Sequence, residues 1–88
     1  MLSISRKKKF EQDVERAKRR GKDLSKLKTV LAYLVEQKLL PKHYKDHQLK
    51  GEFNDCRECH IEPDWLLIYS INSDDLILLR TGSHADLF

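Results

Sequence analysis

Cysteine, proline and glycine are all scarce in this chain of 88 residues, at two, two and three copies. Two cysteines cannot lay out a disulfide scaffold, so free thiols in a reducing compartment are expected. The prolines, Pro41 and Pro63, punctuate the chain without enriching any stretch, and no segment repeats. Neither a linker nor a second domain is visible, and residues 1–88 read as one domain. Long apolar runs are missing too: the longest, residues 30–35, falls well short of the roughly 18 residues that cross a bilayer. The N-terminal stretch is basic and polar with no apolar signal core. Export and membrane insertion are therefore not expected, and a cytoplasmic location is. At this length only about 60 to 65% of the unfolded chain's surface can be buried, which leaves little room for a deep cofactor pocket and excludes a doubly wound nucleotide fold.

Charge is what the chain has in quantity, 17 basic against 14 acidic side chains, and it is unevenly placed. Residues 6–28 hold eleven basic and four acidic side chains, a local excess of +7 in a chain of net +3, so the remainder sums to −4. A polyanion such as nucleic acid is the partner this block suggests, although lysines on the outer face of a helix are as often simply solvated.

Phe10, Val14 and Ala17 recur at i, i+4 and i+7, an apolar stripe on a first helix of about fifteen residues that Gly21 should end. Asp23 reads as the N-cap of a second helix, with Leu24, Leu27, Leu31, Leu34 and Val35 at helical spacing until Pro41 stops the pattern. Residues 2–5 alternate apolar and polar and read as a short strand leading in. After Pro41 the period shortens. Residues 56–61, 65–71 and 76–80 read as three strands separated by turn-forming clusters at 62–64 and 72–75, which gives an antiparallel meander. The expected class is α+β, two N-terminal helices packed on a small antiparallel sheet. Residues 65–69 are apolar throughout, as in a central strand covered on both faces; the helices cover one face, and the other needs cover from elsewhere, a partner included.

All four histidines, His43, His47, His60 and His84, fall in the second half, away from the basic block. Imidazole is the side chain best matched to proton transfer near neutral pH. Asp64 follows His60 across a tight turn, so those two can share one site, and Arg80 ends the last strand. A single histidine is more often structural; several flanking strand ends make a candidate site. Cys56, Arg57, Glu58, Cys59 and His60 spell the haem-attachment pattern CxxCH, but the missing export signal and the strand context argue against haem. Zinc held by His43, His47, Cys56 and Cys59 has suitable ligand types. Strand alternation, however, sends Cys56 and Cys59 to opposite faces, and two buried thiols acting as small apolar residues are the better reading. Among the aromatics, Tyr44, Phe53 and Tyr69 read as core. Trp65 and Phe88 are the candidates to stack on unpaired bases, a contact worth about 1 to 3 kcal/mol each.

The runs Tyr44-Lys45-Asp46-His47-Gln48-Leu49-Lys50-Gly51, Arg57-Glu58-Cys59-His60-Ile61-Glu62-Pro63-Asp64-Trp65 and Arg80-Thr81-Gly82-Ser83-His84, continuing to Leu87-Phe88, closely resemble the YafQ-type toxins of the RelE/ParE superfamily. The resemblance covers residues 44–88, where histidine, aspartate, tryptophan and arginine keep the family's order and spacing; residues 1–40 match only in helix pattern and charge. It implies a RelE/ParE-like, microbial-RNase-like fold and an endoribonuclease, a ribosome-dependent mRNA interferase that inhibits translation as the toxin of a type II toxin-antitoxin system. The partners it implies are the ribosome, mRNA and a co-expressed inhibitory antitoxin, of a ribbon-helix-helix, DinJ-like kind. Operator DNA would be reached only through the antitoxin complex, and no membrane is involved.

The same resemblance implies His84, His60, Asp64 and His47 as catalytic residues, with Arg80, Trp65, Phe88 and Lys50 around the RNA. The family's reaction uses no metal or other cofactor. The ribose 2′-OH attacks the adjacent phosphorus, a general base takes its proton, and a general acid protonates the departing 5′-oxygen. By resemblance His84 is the acid, His60 with Asp64 forms the base side, and His47 positions or transfers a proton. Arg80 faces the phosphate, where its planar fork makes paired bonds that lysine does not. Cys56 and Cys59 depart from the family pattern and have no part in this mechanism. Two other functions fit the fold class: a same-fold toxin that inhibits gyrase by binding, and a basic nucleic-acid-binding module without chemistry.

Overall fold

Phe10 and Ala17 bury the same face of α1 (Lys8–Arg19). The helix ends where the sequence places its stop: Gly21 takes φ +78, its N–H bonds the Lys18 carbonyl at 3.0 Å, and the Lys22 N–H bonds the Ala17 carbonyl at 3.0 Å, the paired closure that a left-handed residue permits. The next helix, α2 (Leu24–Val35), opens on Asp23, whose carboxylate accepts the Ser25 N–H at 3.0 Å, and buries Leu27, Val30 and Leu34. It stops well before Pro41. Gln37 takes φ +56, and the N–H groups of Gln37 and Lys38 close back onto Leu34 and Tyr33 at 3.0 and 2.9 Å. Past Val35 come Glu36, Gln37 and Lys38, which offer nothing to bury, and a helix gains most of its stability from packing an apolar face.

The computed structural model describes residues 1–88, the Glu52 side chain excepted. The strands are β1 (Ser3–Arg6), β2 (His47–Gln48), β3 (Arg57–Glu62), β4 (Trp65–Asn72) and β5 (Asp75–Gly82), and a one-turn helix α3 (His84–Leu87) follows the last. They form one sheet in the order β1-β5-β4-β3-β2. The meander β3-β4-β5 is antiparallel, as expected, and β2 extends it with His47 opposite Glu58. On the far edge β1 runs parallel to β5, Ser3 opposite Asp75, so the sheet is mixed.

The helices cover one face, where Cys59, Ile61, Trp65, Leu67, Tyr69, Leu76 and Leu78 pack against Leu2, Phe10, Ala17, Leu27, Val30 and Leu34. Burying each such side chain fully contributes about 1.5 to 3 kcal/mol. Leu66 and Ile68 point to the opposite face and are also 0% exposed, so the chain itself covers that side of β4 and no partner is needed for it. Two irregularities aim the residues that follow. Ile61 is an extra residue between the pairs His60–Leu66 and Glu62–Trp65, and Leu79 is an extra residue between Leu78–Tyr69 and Arg80–Ile68; each bulge bends its strand end and resets which face the next side chains occupy.

Candidate active site

Residues directly opposite in neighbouring strands share a face. Register therefore puts His47, Glu58, Ile68 and Arg80 in one row on the face away from the helices, and His60, Leu66 and Gly82 in the next. His84 stands two residues beyond Gly82, at the start of α3. Three histidines remote in sequence converge this way: the His60 ring lies 6.2 Å from that of His47 and 5.8 Å from that of His84, centre to centre.

Each imidazole has a defined neighbour. His47 Nδ1 lies 2.7 Å from the Lys45 carbonyl, an acceptor, so that nitrogen carries a proton and Nε2 is the one left to exchange. That Nε2 is 3.7 Å from Glu58, and His60 Nε2 is 3.3 Å from the same carboxylate oxygen. Glu58 is 5% exposed, so one buried carboxylate faces two imidazoles. His84 is served by Asp64, whose Oδ1 accepts the ring Nδ1–H at 2.7 Å and the backbone N–H at 2.9 Å. These two bonds to the His84 backbone and ring hold the Asp64 carboxyl below its usual range. Asp64 thus bonds His84, not the His60 it was expected to accompany. Glu58 was not among the residues singled out from the sequence. Its signal was available, since Glu58 and His60 sit at strand period two and must share a face.

Arg80, expected to face a phosphate, has its fork engaged within the chain: Nε and one Nη reach the two oxygens of Asp13 at 2.7 and 3.1 Å. The cause lies in the sheet edge. β1 pairs with β5 only as far as Leu78, which leaves the Thr81 N–H without a strand partner; Asp13 from α1 caps it at 3.1 Å. A carboxylate there, 3% exposed, needs a cation, and Arg80 and Arg16 supply it. Asp13 is itself a residue the sequence reading passed over, although an acid three positions after Phe10 on a buried stripe marks it. Arg16 and Arg20 also grip Asp86, so three arginines meet two aspartates and the group keeps one excess positive charge.

Trp65 is core. It is 1% exposed and donates its ring N–H to Thr81 Oγ1 at 2.9 Å, so it offers no face for a base to stack on. Phe88 remains 65% exposed, its ring edge-on to Phe53 at 6.1 Å. Lys50 is exposed at the start of the 3-10 turn Gly51–Phe53. Both cysteines are buried and free. Burial pushes the Cys59 thiol up to about 12 and raises that of Cys56. Cys59 packs in the helix-side core while His47 stands on the other face, so the four-ligand zinc set does not assemble. The donors that do meet are Glu58, His60 and His84, with ligand atoms within 4.8 Å of one another, a group able to hold a metal ion.

Of the basic residues in the N-terminal block, Arg16, Lys18, Arg20, Lys22 and Lys26 pair with carboxylates inside the chain. Arg6, Lys7, Lys8, Lys9, Arg19 and Lys28 are exposed, with no such pairing among the described residues. A separate concavity lies away from the histidines. It is a groove of about 740 Å³ between α1 and α2, floored by Phe10, Val14, Leu27 and Leu31, with Arg6, Lys8, Lys18 and Lys28 and also Glu11 and Glu15 along its lining. No described helix is long and apolar enough to cross a membrane.

The sequence pattern of the YafQ family, bacterial toxins of type II toxin-antitoxin systems, matches residues 2–88. Over 80 residues the chain is 45% identical to the mRNA interferase toxin YafQ of Escherichia coli strain K12, covering 90% of this chain and 87% of that protein. It superposes on a copper-bound mutant toxin from Helicobacter pylori with a TM-score of 0.96 at 43% identity, covering 100% of both chains. In the E. coli DinJ-YafQ complex a chain covered to 99%, against 100% of this one, matches with a TM-score of 0.92 at 40% identity.

Proposed function

The chain belongs to the family of bacterial YafQ toxins of type II toxin-antitoxin systems, and from that membership we propose that it is an mRNA endonuclease that cuts on the ribosome by general acid-base attack of the ribose 2′-OH. The observation that carries this is the convergence of His60 and His84, 5.8 Å apart, each backed by a different carboxylate. Asp64 on Nδ1 of His84 fixes the tautomer and the ring's orientation, leaving Nε2 to protonate the departing 5′-oxygen. On the other side Glu58 faces His60 and His47, so either imidazole can take the 2′-OH proton with a buried anion to stabilise the charge it acquires. Arg80 serves the phosphate as part of the arginine-aspartate group, whose excess positive charge lies at the edge of the site where negative charge builds up. Phe88 and Lys50 border the RNA. A divalent ion seated on Glu58, His60 and His84 would occupy imidazole nitrogens that these steps use, so no step runs through one.

The unpaired lysines and arginines of the N-terminal block attach the protein to ribosomal RNA, and attachment weakens steeply with salt. A DinJ-like antitoxin holds the toxin inactive; the apolar floor of the groove between α1 and α2, with its mixed-charge rim, suits an amphipathic segment of such a partner.

Translation in a cell-free system, followed by primer extension on the mRNA, tests the proposal. Cuts that need ribosomes and fall at codon positions support it. Intact message, or equal cutting of free RNA, overturns it, and altered plasmid supercoiling would select the gyrase-directed alternative instead.

A further inference from the structure

We propose that Asp86 is a positioning residue for His84, clamping the one-turn helix that carries the histidine onto α1; the role rests on His84 acting as the general acid. The four residues of α3 are too few to persist as a helix unaided, because nucleation costs more than a single turn returns. The His84 side chain, 56% exposed, has little packing to fix it. Asp64 holds it from the front. From behind, the holding is done by Asp86. Its carboxylate accepts both forks of Arg20 at 2.6 and 3.1 Å, lies 3.1 Å from Arg16 Nη1 and accepts the Ser83 N–H at 2.9 Å. In return Ser83 Oγ accepts the Asp86 N–H at 3.1 Å, which completes a capping box. Both oxygens are thereby engaged, so Asp86 has no capacity left to bond a substrate.

The strand end is shaped for this carboxylate. A Cβ on Gly82 would lie 2.9 Å from Asp86 Oδ2 and 3.0 Å from its Cβ, so only glycine lets the carboxylate settle there. Asp86 is 11% exposed in its side chain, and Arg20 with Ser83 holds its carboxyl far below the usual range. The anchoring helix is the one whose Asp13 holds Arg80, so a single face of α1 sets the place of both the acid and the arginine.

Asp86→Asn keeps an oxygen for the Ser83 N–H and nearly the same volume but removes the charge that binds Arg20 and Arg16. The expected result is a single-turnover cleavage rate lowered about 10- to 100-fold, with the half-saturating ribosome concentration within about twofold of the parent. Hydrogen exchange at the His84 amide should quicken while the amides of Leu67 and Leu78 keep their protection. Asp86→Glu, which retains the charge, should recover part of the rate, and Arg20→Gln should act in the same direction as Asp86→Asn but less. Wild-type cleavage by Asp86→Asn with a protected His84 amide overturns the clamp; so does loss of protection spread equally over the core. Should the unaltered protein fail to cut ribosome-bound mRNA, the acid role of His84 falls, and exchange alone then decides the clamp: a deprotected His84 amide in Asp86→Asn upholds it, an unchanged one refutes it.

Discussion

Asp64 and His84 meet twice at one atom: Asp64 Oδ1 takes the histidine's backbone N–H at 2.9 Å and its ring N–H at 2.7 Å. The turn after β3 and the helix after β5 are thus tied together through a charged acceptor. Asp64, Asp86, Glu62 and Asp23 all have carboxyls held below their ordinary range by hydrogen bonds and neighbouring cations. Each binds its proton more weakly folded than unfolded. The stability they contribute is therefore complete above the unfolded carboxylate value of about 4 and is lost as pH falls through the lower folded values. Calorimetry from pH 7 to pH 2.5 should show a melting temperature that is flat above about pH 5 and declines below about 4, with a shallower decline in Asp64→Asn. An acid limb equally steep in that variant would remove Asp64 from the account.

His84→Ala should lower ribosome-dependent cleavage by about a hundredfold to ten-thousandfold, the range of one proton-transfer role. The side chain is more than half exposed, so the melting temperature and binding of the antitoxin should stay near those of the parent. Cleavage at the parent rate would place the acid elsewhere.

Asp13→Asn should destabilise the fold by about 2 to 3 kcal/mol in urea denaturation. It leaves Arg80 and Arg16 facing a neutral group, and the figure is set below that of a fully buried broken pair because both guanidiniums reach solvent. Arg80→Lys should lose part of the same stability, since an ammonium cannot span both oxygens. An unchanged urea midpoint in Asp13→Asn would mean that the pair is replaceable by water.

Cys59 should resist alkylation in the native state. Its thiol is 0% exposed and held near 12, so little thiolate is present or reachable at pH 8. Iodoacetamide followed by mass spectrometry should find Cys59 unmodified until denaturant is added, with Cys56 reacting slowly. Rapid native labelling at Cys59 would indicate local opening of β3.

The helices and the meander were legible because their signals are local: an apolar stripe, a capping aspartate, a glycine stop, alternation and turn residues. What escaped was set by distant contacts. Nothing near residues 2–5 announces a parallel partner in β5, and the two-residue β2 is too short to carry a period. The bulge at Leu79 decides where Arg80 points and has no mark in the local sequence. Among the candidate site residues, His47, His60, Asp64 and His84 were nameable one by one, but which carboxylate serves which ring is a property of register. Asp64 went to His84, and Glu58 took the place expected of it. Trp65 misled because residue type alone does not distinguish a stacking platform from a buried ring whose N–H already has an acceptor in Thr81.

The parallel pairing of Ser3 with Asp75 also bears on when the molecule becomes competent. Bringing together segments so distant along the polymer costs closure entropy, which disfavours this contact early in folding. A partial chain still lacking β5 has no seat for β1, no Arg80 to neutralise Asp13 and no His84 to meet Asp64. The fold and the histidine cluster are therefore completed together.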